Sequence, residues 1–349
     1  MGMPRRLSAF DARDNGITAA RLGLALVVVA SHSVTIGGYG LEPLLELSHG
    51  RASLGLVAVI AFFALSGFLL AGSRERTSIA VFVRNRALRI LPGYWLALAF
   101  TMVVAVPLAA TMRGIAVDGS AVAAWVGPRL LFTGGAEDAG LSAAFGGGLI
   151  NGSLWTLGLE VFCYLVLALT PRRWLRPMVL GELLLQGALW ALAPAFEGPG
   201  TALLLAFTCG AAAWLWRTWI PMSGWTAALA AGGGVIALLV PSLPVAAVLM
   251  SYAALGLAAL PIRTDRDLSY GVYVLAYPIQ QVLATAGVAA LGLPVLFALS
   301  VAIVLPLAFV SWQFVERPAL SLRTWRLSLR TAEQRIVLAD ITAATSPPV

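Results

Sequence analysis

Apolar residues fall along this chain in runs of about 17 to 25, each closed by arginine, proline or glycine, and these long runs rather than a two-residue alternation carry the pattern. Ten of them lie near residues 17–37, 52–72, 91–112, 149–170, 178–194, 200–217, 223–241, 243–261, 268–290 and 294–316. A helix of that length spans the roughly 30 Å hydrocarbon core of a bilayer. The pattern therefore predicts an all-α polytopic membrane bundle of about ten transmembrane helices. Only two connections are long. One, 111–148, is rich in glycine and small residues with a short amphipathic stretch at 121–131; the other, 73–90, is dense in arginine, and both are expected to be loops. Beyond Arg335 the pattern fades and the chain ends Ser-Pro-Pro-Val, so one membrane domain (1–335) is expected to carry a flexible cytoplasmic tail (336–349).

Composition agrees: 60% of residues are hydrophobic, 11% are charged, and the mean hydropathy is +0.88, outside the range of a soluble domain. A net charge of +7 suggests nucleic acid until the basic residues are located. All are arginine, they flank the apolar runs, and they read as topology. With an even number of spans, 19 arginines fall on one side and only Arg51, Arg113 and Arg129 on the other, which puts both termini in the cytoplasm of a multi-pass plasma (inner) membrane protein. Cys163 and Cys209 lie in apolar runs and act as small hydrophobes, so neither a disulfide framework nor a metal site is expected. The first run carries Arg21 in its body and lacks a small-residue cleavage pattern, which argues against a cleaved signal peptide.

Candidate chemistry starts in that first run. Arg21 and His32 are eleven residues apart, so a helix brings them to within about 20° on one face, roughly 16 Å apart along the axis. Ionisable groups inside a bilayer cost several kcal/mol unless they are paired or line a cavity. The plainer alternative has Arg21 reaching the headgroups and His32 packed near the far interface. Glu160, about ten residues into the fourth run, should pair with Arg21 or His32 or face an aqueous cavity; a purely structural ion pair is the competing role. Arg84, Arg86 and Arg89 form a basic cluster that is either ordinary inside charge or a clamp for phosphate. His49 lies in an outer segment and is expected to face solvent.

Five strings occur in order: Ala61-Phe-Phe-Ala-Leu-Ser66-Gly67-Phe68; Phe82-Val-Arg84-Asn-Arg86-Ala-Leu-Arg89; Asn151-Gly-Ser-Leu-Trp155-Thr-Leu-Gly-Leu-Glu160-Val-Phe-Cys-Tyr164; Ser269-Tyr-Gly-Val-Tyr273-Val-Leu-Ala-Tyr277-Pro278; and Phe314-Val-Glu316-Arg317-Pro318. Together with the Arg21/His32 pair they resemble the membrane acyltransferase 3 family, O-acyltransferases of surface polysaccharides and related glycans, over roughly residues 10 to 320. The resemblance implies ten spans with a cytoplasmic amino terminus, acyl-coenzyme A (acetyl-coenzyme A foremost) as a donor substrate with no permanently bound cofactor, and a hydroxyl on a carbohydrate or glycolipid as acceptor. The family's Arg-x10-His motif matches Arg21 and His32, and its Arg-x-x-Arg motif matches Arg86 and Arg89. A histidine suits removal of a hydroxyl proton, and guanidinium forks suit coenzyme A phosphates. Ser66, Asn151, Trp155, Tyr164 and Tyr273 are candidate substrate-binding residues, although aromatic residues near span ends also serve as interfacial anchors.

The chain departs from the family where many members carry a histidine two residues before the ninth-run proline; here that residue is Ala276. It also lacks the carboxy-terminal hydrolase-like domain of some members, so transfer is expected within the membrane domain or with a partner. The competing class is a transporter or flippase of a glycolipid or acyl group with Arg21, His32 and Glu160 as a relay, but no internal repeat is visible. For the enzyme, a polar channel should enter from Arg84–Arg89, pass Arg21 and end at His32, with Glu160 on a facing helix.

Overall fold

A computed structural model of the chain describes residues 5–7, 16–134, 137–240, 242–262, 264 and 266–323. The expected tail, 336–349, lies outside the described residues. All ten apolar runs contain helix: α1 (Ile17–Ile36), α2 (Leu54–Arg76), α3 (Ile79–Arg113), α4 (Trp155–Leu169), α5 (Leu175–Leu192), α6 (Pro199–Leu215), α7 (Gly224–Leu239), α8 (Leu243–Ala258), α9 (Ser269–Thr285) and α10 (Leu293–Arg323). Four of them, α1, α2, α3 and α10, are long and apolar enough to cross a membrane. Large apolar side chains such as Val103, Leu169 and Leu192 point outward, as a lipid-facing surface requires. Sheet pairing among the described residues is confined to one two-residue contact, Arg5–Arg6 against Pro221–Met222.

Two sequence expectations need correction. The arginine-rich 73–90 connection is helical apart from Thr77 and Ser78, so Arg84, Arg86 and Arg89 stand on the first turns of α3. Arginine, alanine and leucine are good helix formers, the first proline arrives only at Pro92, and Ser78 caps the new helix through Val81 N–H. The fourth run turns helical only at Trp155. Before it, the backbone at 149–154 is held by side chains: Gln281 Nε2 donates to the Leu149 carbonyl at 2.6 Å, and Asn151 Nδ2 donates to the Val274 carbonyl at 3.2 Å. Irregular backbone at this position survives because protein groups satisfy it. The 111–148 stretch does contain its short helix, Gly119–Leu130, anchored by a bond from the Tyr94 hydroxyl to the Arg129 carbonyl and by an Arg129–Glu137 ion pair at 3.1 Å.

The frame is tightest between α2 and α6. A Cβ on Gly67 would lie 1.9 Å from the Phe207 carbonyl oxygen, and one on Gly210 would lie 1.9 Å from that of Ala64. Only hydrogen at both positions lets the backbones touch, the small-residue packing expected of membrane helices. Against this pair sit α1, which carries Arg21 and His32, and α4, which carries Trp155, Glu160 and Tyr164; α9 also packs on α1.

Candidate active site

Arg21 and His32 both face the interior of the bundle, about 6 Å and 22 Å along α1 from Ile17. They open onto different cavities. Arg21, Phe62, Ser66, Glu160 and Tyr270 line a narrow chamber of about 40 Å³, room for a few waters. His32, Arg51, Ser53 and Trp155 line a larger chamber of about 250 Å³. Val59, Thr156 and Tyr273 belong to the walls of both, and the Thr156 and Tyr273 hydroxyls are hydrogen-bonded at 2.6 Å. In place of one polar channel entering from Arg84–Arg89 there are two chambers meeting at a shared wall, and none of Arg84, Arg86 and Arg89 lines either of them.

Of the two courses expected of it, Glu160 takes the second: it faces the narrow chamber and does not pair with Arg21 or His32. It accepts from Ser66 Oγ at 3.1 Å and from the Tyr164 hydroxyl at 2.5 Å, and no cation lies within ion-pair distance of it among the described residues. Arg21 instead reaches Asp267, with Nη1 to Oδ2 at 2.9 Å, and Arg89 donates to the same oxygen. Arg89 also faces Glu316, at 3.6 Å, whose other oxygen accepts from Ser311 Oγ. A π-helical turn over Trp312–Glu316 aims Glu316 inward. Asp267, in the connection just before α9, further accepts from Ser269 N–H and Oγ. Burial alone would raise its pKa, but the Arg21 and Arg89 guanidiniums outweigh that cost and hold the carboxyl at about 2.

The remaining cations behave differently. Arg84 donates to the Arg323 carbonyl and Arg323 to the Asn85 carbonyl, yet the Nε groups of Arg84, Arg86 and Arg323 are buried without hydrogen-bond partners. Unsatisfied buried guanidinium donors mark a place where an anion would be welcome. Arg86 and Tyr164 also border an almost wholly apolar slot of about 190 Å³ between α3 and α4. Arg74 is different again, buried and donating to the Leu167 and Thr170 carbonyls, which makes it a structural tie.

His32 makes one ring contact, an edge-on approach to Tyr277 with centroids 4.9 Å apart, and its Nδ1 is buried without a partner. Ser66, Tyr164, Tyr273 and Trp155 each border a cavity. Asn151 lines neither chamber; its amide donates to the Val274 carbonyl and Thr101 Oγ1 and accepts from Ser153 N–H. His49 is exposed, as expected.

Sequence reasoning missed Asp267, Thr156, Tyr277, Arg51 and Arg323. Asp267 was signalled by its place at the head of an apolar run, because a buried arginine needs a counter-ion. Thr156, Tyr277 and the ion-paired Glu316 stand inside the motif strings, whereas Arg51 and Arg323 looked like ordinary flanking charge.

Comparison with known proteins bears on this arrangement directly. The acyltransferase 3 family, described as an acyltransferase domain, matches residues 14–313. A curated relative, an "O-acetyl transferase" of Shigella phage Sf6, is 26% identical over 343 residues, covering 91% of this chain and 99% of its own. No solved structure matches. A match over nearly the whole membrane domain, including every candidate residue above except Glu316 and Arg323, means that this chain belongs to the acyltransferase 3 family and is an acyltransferase acting on groups other than amino-acyl groups.

Proposed function

We propose that the protein is a membrane O-acetyltransferase that moves acetyl from acetyl-coenzyme A to a hydroxyl of a carbohydrate or glycolipid, with ten spans and both termini on the cytoplasmic side of the plasma (inner) membrane. The observation that carries this reading is the pair of chambers meeting at Thr156 and Tyr273, the narrow one lined by Arg21 and Glu160 and the larger one by His32. Arg84 and Arg86, joined by Arg323, offer free donors to the phosphates of coenzyme A; Arg89 is held by Asp267 and Glu316 and acts by fixing Arg21 and the wall of the narrow chamber.

His32 then serves as the base. It takes the proton of the acceptor hydroxyl, the freed oxygen attacks the thioester carbonyl carbon, and the carbon–sulfur bond breaks. The thiolate of coenzyme A leaves with the proton that His32 returns. Ser66 and Glu160 line the path of the acyl group, and Trp155 offers a flat apolar face in the wall of the larger chamber. The acetyl group, rather than a longer chain, is supported by the relative's name and by the narrowness of the Arg21 chamber. The test is transfer of labelled acetyl from acetyl-coenzyme A to a panel of sugar glycosides by the purified protein in detergent. Acetyl-ester formation supports the reading; failure on every sugar, with transfer to a non-sugar alcohol intact, overturns the carbohydrate acceptor.

A further inference from the structure

The larger chamber holds a charge that the transfer chemistry above does not use. Arg51 is the one charged residue in a wall built from groups such as His32, Ser53, Trp155, Thr156 and Tyr273, and no acidic side chain faces it there. Its Nη1 is buried without a hydrogen-bond partner, and no carboxylate lies within ion-pair distance among the described residues. The nearest buried acid in sequence, Glu42, is committed elsewhere: it accepts from Leu54 N–H at 2.7 Å and 2.9 Å and from Ser31 Oγ at 2.9 Å, capping α2.

The backbone beneath Arg51 is set firmly. His49 and Gly50 adopt left-handed φ values of 52° and 82°, Gly50 N–H reaches the Leu45 carbonyl at 2.7 Å, and Ser48 Oγ accepts from Ala52 N–H and donates to the Ala52 carbonyl, both at 3.0 Å. Ser48 and Ala52 are fully buried, so the turn is clamped on both sides of the arginine. A left-handed histidine costs energy that an ordinary loop would avoid. The turn thus spends strain to hold a guanidinium, unpaired, over the chamber that contains the proposed base.

We infer that Arg51 binds a negatively charged group of the acceptor, and that the acceptor is an acidic sugar whose carboxylate sits on this guanidinium while a neighbouring hydroxyl faces His32. One guanidinium balances one negative charge, which matches a uronic-type carboxylate better than a phosphate monoester of charge near −2. The inference rests on the acyl-transfer reading for the position of the hydroxyl, but binding of the anion can be measured without turnover.

The experiment titrates the purified full-length protein in detergent with methyl glucuronide, methyl glucoside and glucose 6-phosphate, following tryptophan fluorescence, to which Trp155 contributes from the chamber wall. A charge-assisted pair predicts that glucuronide binds about tenfold or more tighter than glucoside. Arg51→Gln should erase that ratio, and Arg51→Lys should keep part of it. Equal affinities for glucuronide and glucoside in the wild-type protein would overturn the inference without recourse to any variant, and tighter binding of glucose 6-phosphate would overturn the carboxylate assignment. In the transfer assay, loss of turnover by Arg51→Gln to the same extent on glucuronide and glucoside would mean that Arg51 serves the reacting carbonyl instead. If no sugar is acetylated at all, the transfer reading falls while the binding ratio still decides the role of Arg51.

Discussion

Replacing Asp267 with asparagine keeps the shape of the side chain and removes the one charge that two arginines share. Oδ2 of Asp267 meets Arg21 at 2.9 Å and also Arg89, and the three side chains are only 21%, 13% and 22% exposed for Arg21, Arg89 and Asp267. At an effective dielectric constant of about 20, each pair is worth roughly 4 kcal/mol of gross attraction at 4 Å, most of it offset by the cost of taking the charges out of water. Losing one partner of a buried pair typically costs about 3–5 kcal/mol, and the partial exposure here puts Asp267→Asn near the lower end, roughly 3 kcal/mol. That corresponds to a shift of about 150-fold in the folding equilibrium. The assay is the unfolding midpoint in detergent of wild type, Asp267→Asn, Arg21→Gln and the double variant. Because Arg21 has no other ion pair among the described residues, the double variant should lose about 1–3 kcal/mol less than the sum of the singles. A single-variant loss below about 0.5 kcal/mol with no coupling would refute the view that this carboxylate organises the narrow chamber. The pH dependence has a fixed sign. The folded carboxyl titrates near 2, below the roughly 3.9 of an unfolded aspartate, so its contribution is complete above about pH 4 and disappears as pH falls towards 2.

Further outcomes follow from individual contacts. His32→Ala should reduce acetyl transfer about 10²- to 10⁴-fold with little change in melting, since Nδ1 has no partner to lose; activity above a tenth of wild type would make the residue structural. Arg84→Ala and Arg86→Ala should raise the KM for acetyl-coenzyme A, while Arg89→Ala should chiefly lower stability; equal KM effects in the exposed control Arg317→Ala would reduce the donor site to diffuse charge. Gly67→Ala pushes a methyl to 1.9 Å from the Phe207 carbonyl oxygen and should cost at least about 1–3 kcal/mol, whereas Gly181→Ala, which meets nothing within 4 Å in the middle of α5, should be neutral or slightly stabilising. Matching melting curves for Gly67→Ala and wild type would refute the close α2–α6 contact.

Every apolar run contains a helix because each is long enough to be heard above local noise, and the arginines around Arg84 misled because charge density was taken for irregular backbone. Helix propensity in Arg84-Asn-Arg86-Ala-Leu-Arg89 pointed the other way and was the better guide. Arg21 and His32 were legible as inward-facing because desolvation leaves such groups few alternatives. Their partners were not. Asp267 is 246 residues from Arg21, and periodicity within one helix carries no information about which distant carboxylate meets it. The same holds for Glu160: its depth showed that it must be satisfied, while the choice of Ser66 and Tyr164 over a cation depends on how α2 and α4 dock. Arg51 was hidden most thoroughly, since a strained turn rather than a helical face directs it inward.

The contact between Thr156 and Tyr273 also bears on leakage. An enzyme that works across a bilayer has to pass one kind of group while denying passage to protons and ions, or it would dissipate the gradients of the cell that makes it. At 2.6 Å the two hydroxyls leave no space for a water between them, so the two chambers are parted there by a direct hydrogen bond. Opening the wall means parting one hydrogen bond, and an acyl group moving through would fill the gap it makes. For the transfer proposed above, the barrier between the chambers and the way through it are then the same two side chains, and Thr156→Ala would leave the chambers joined.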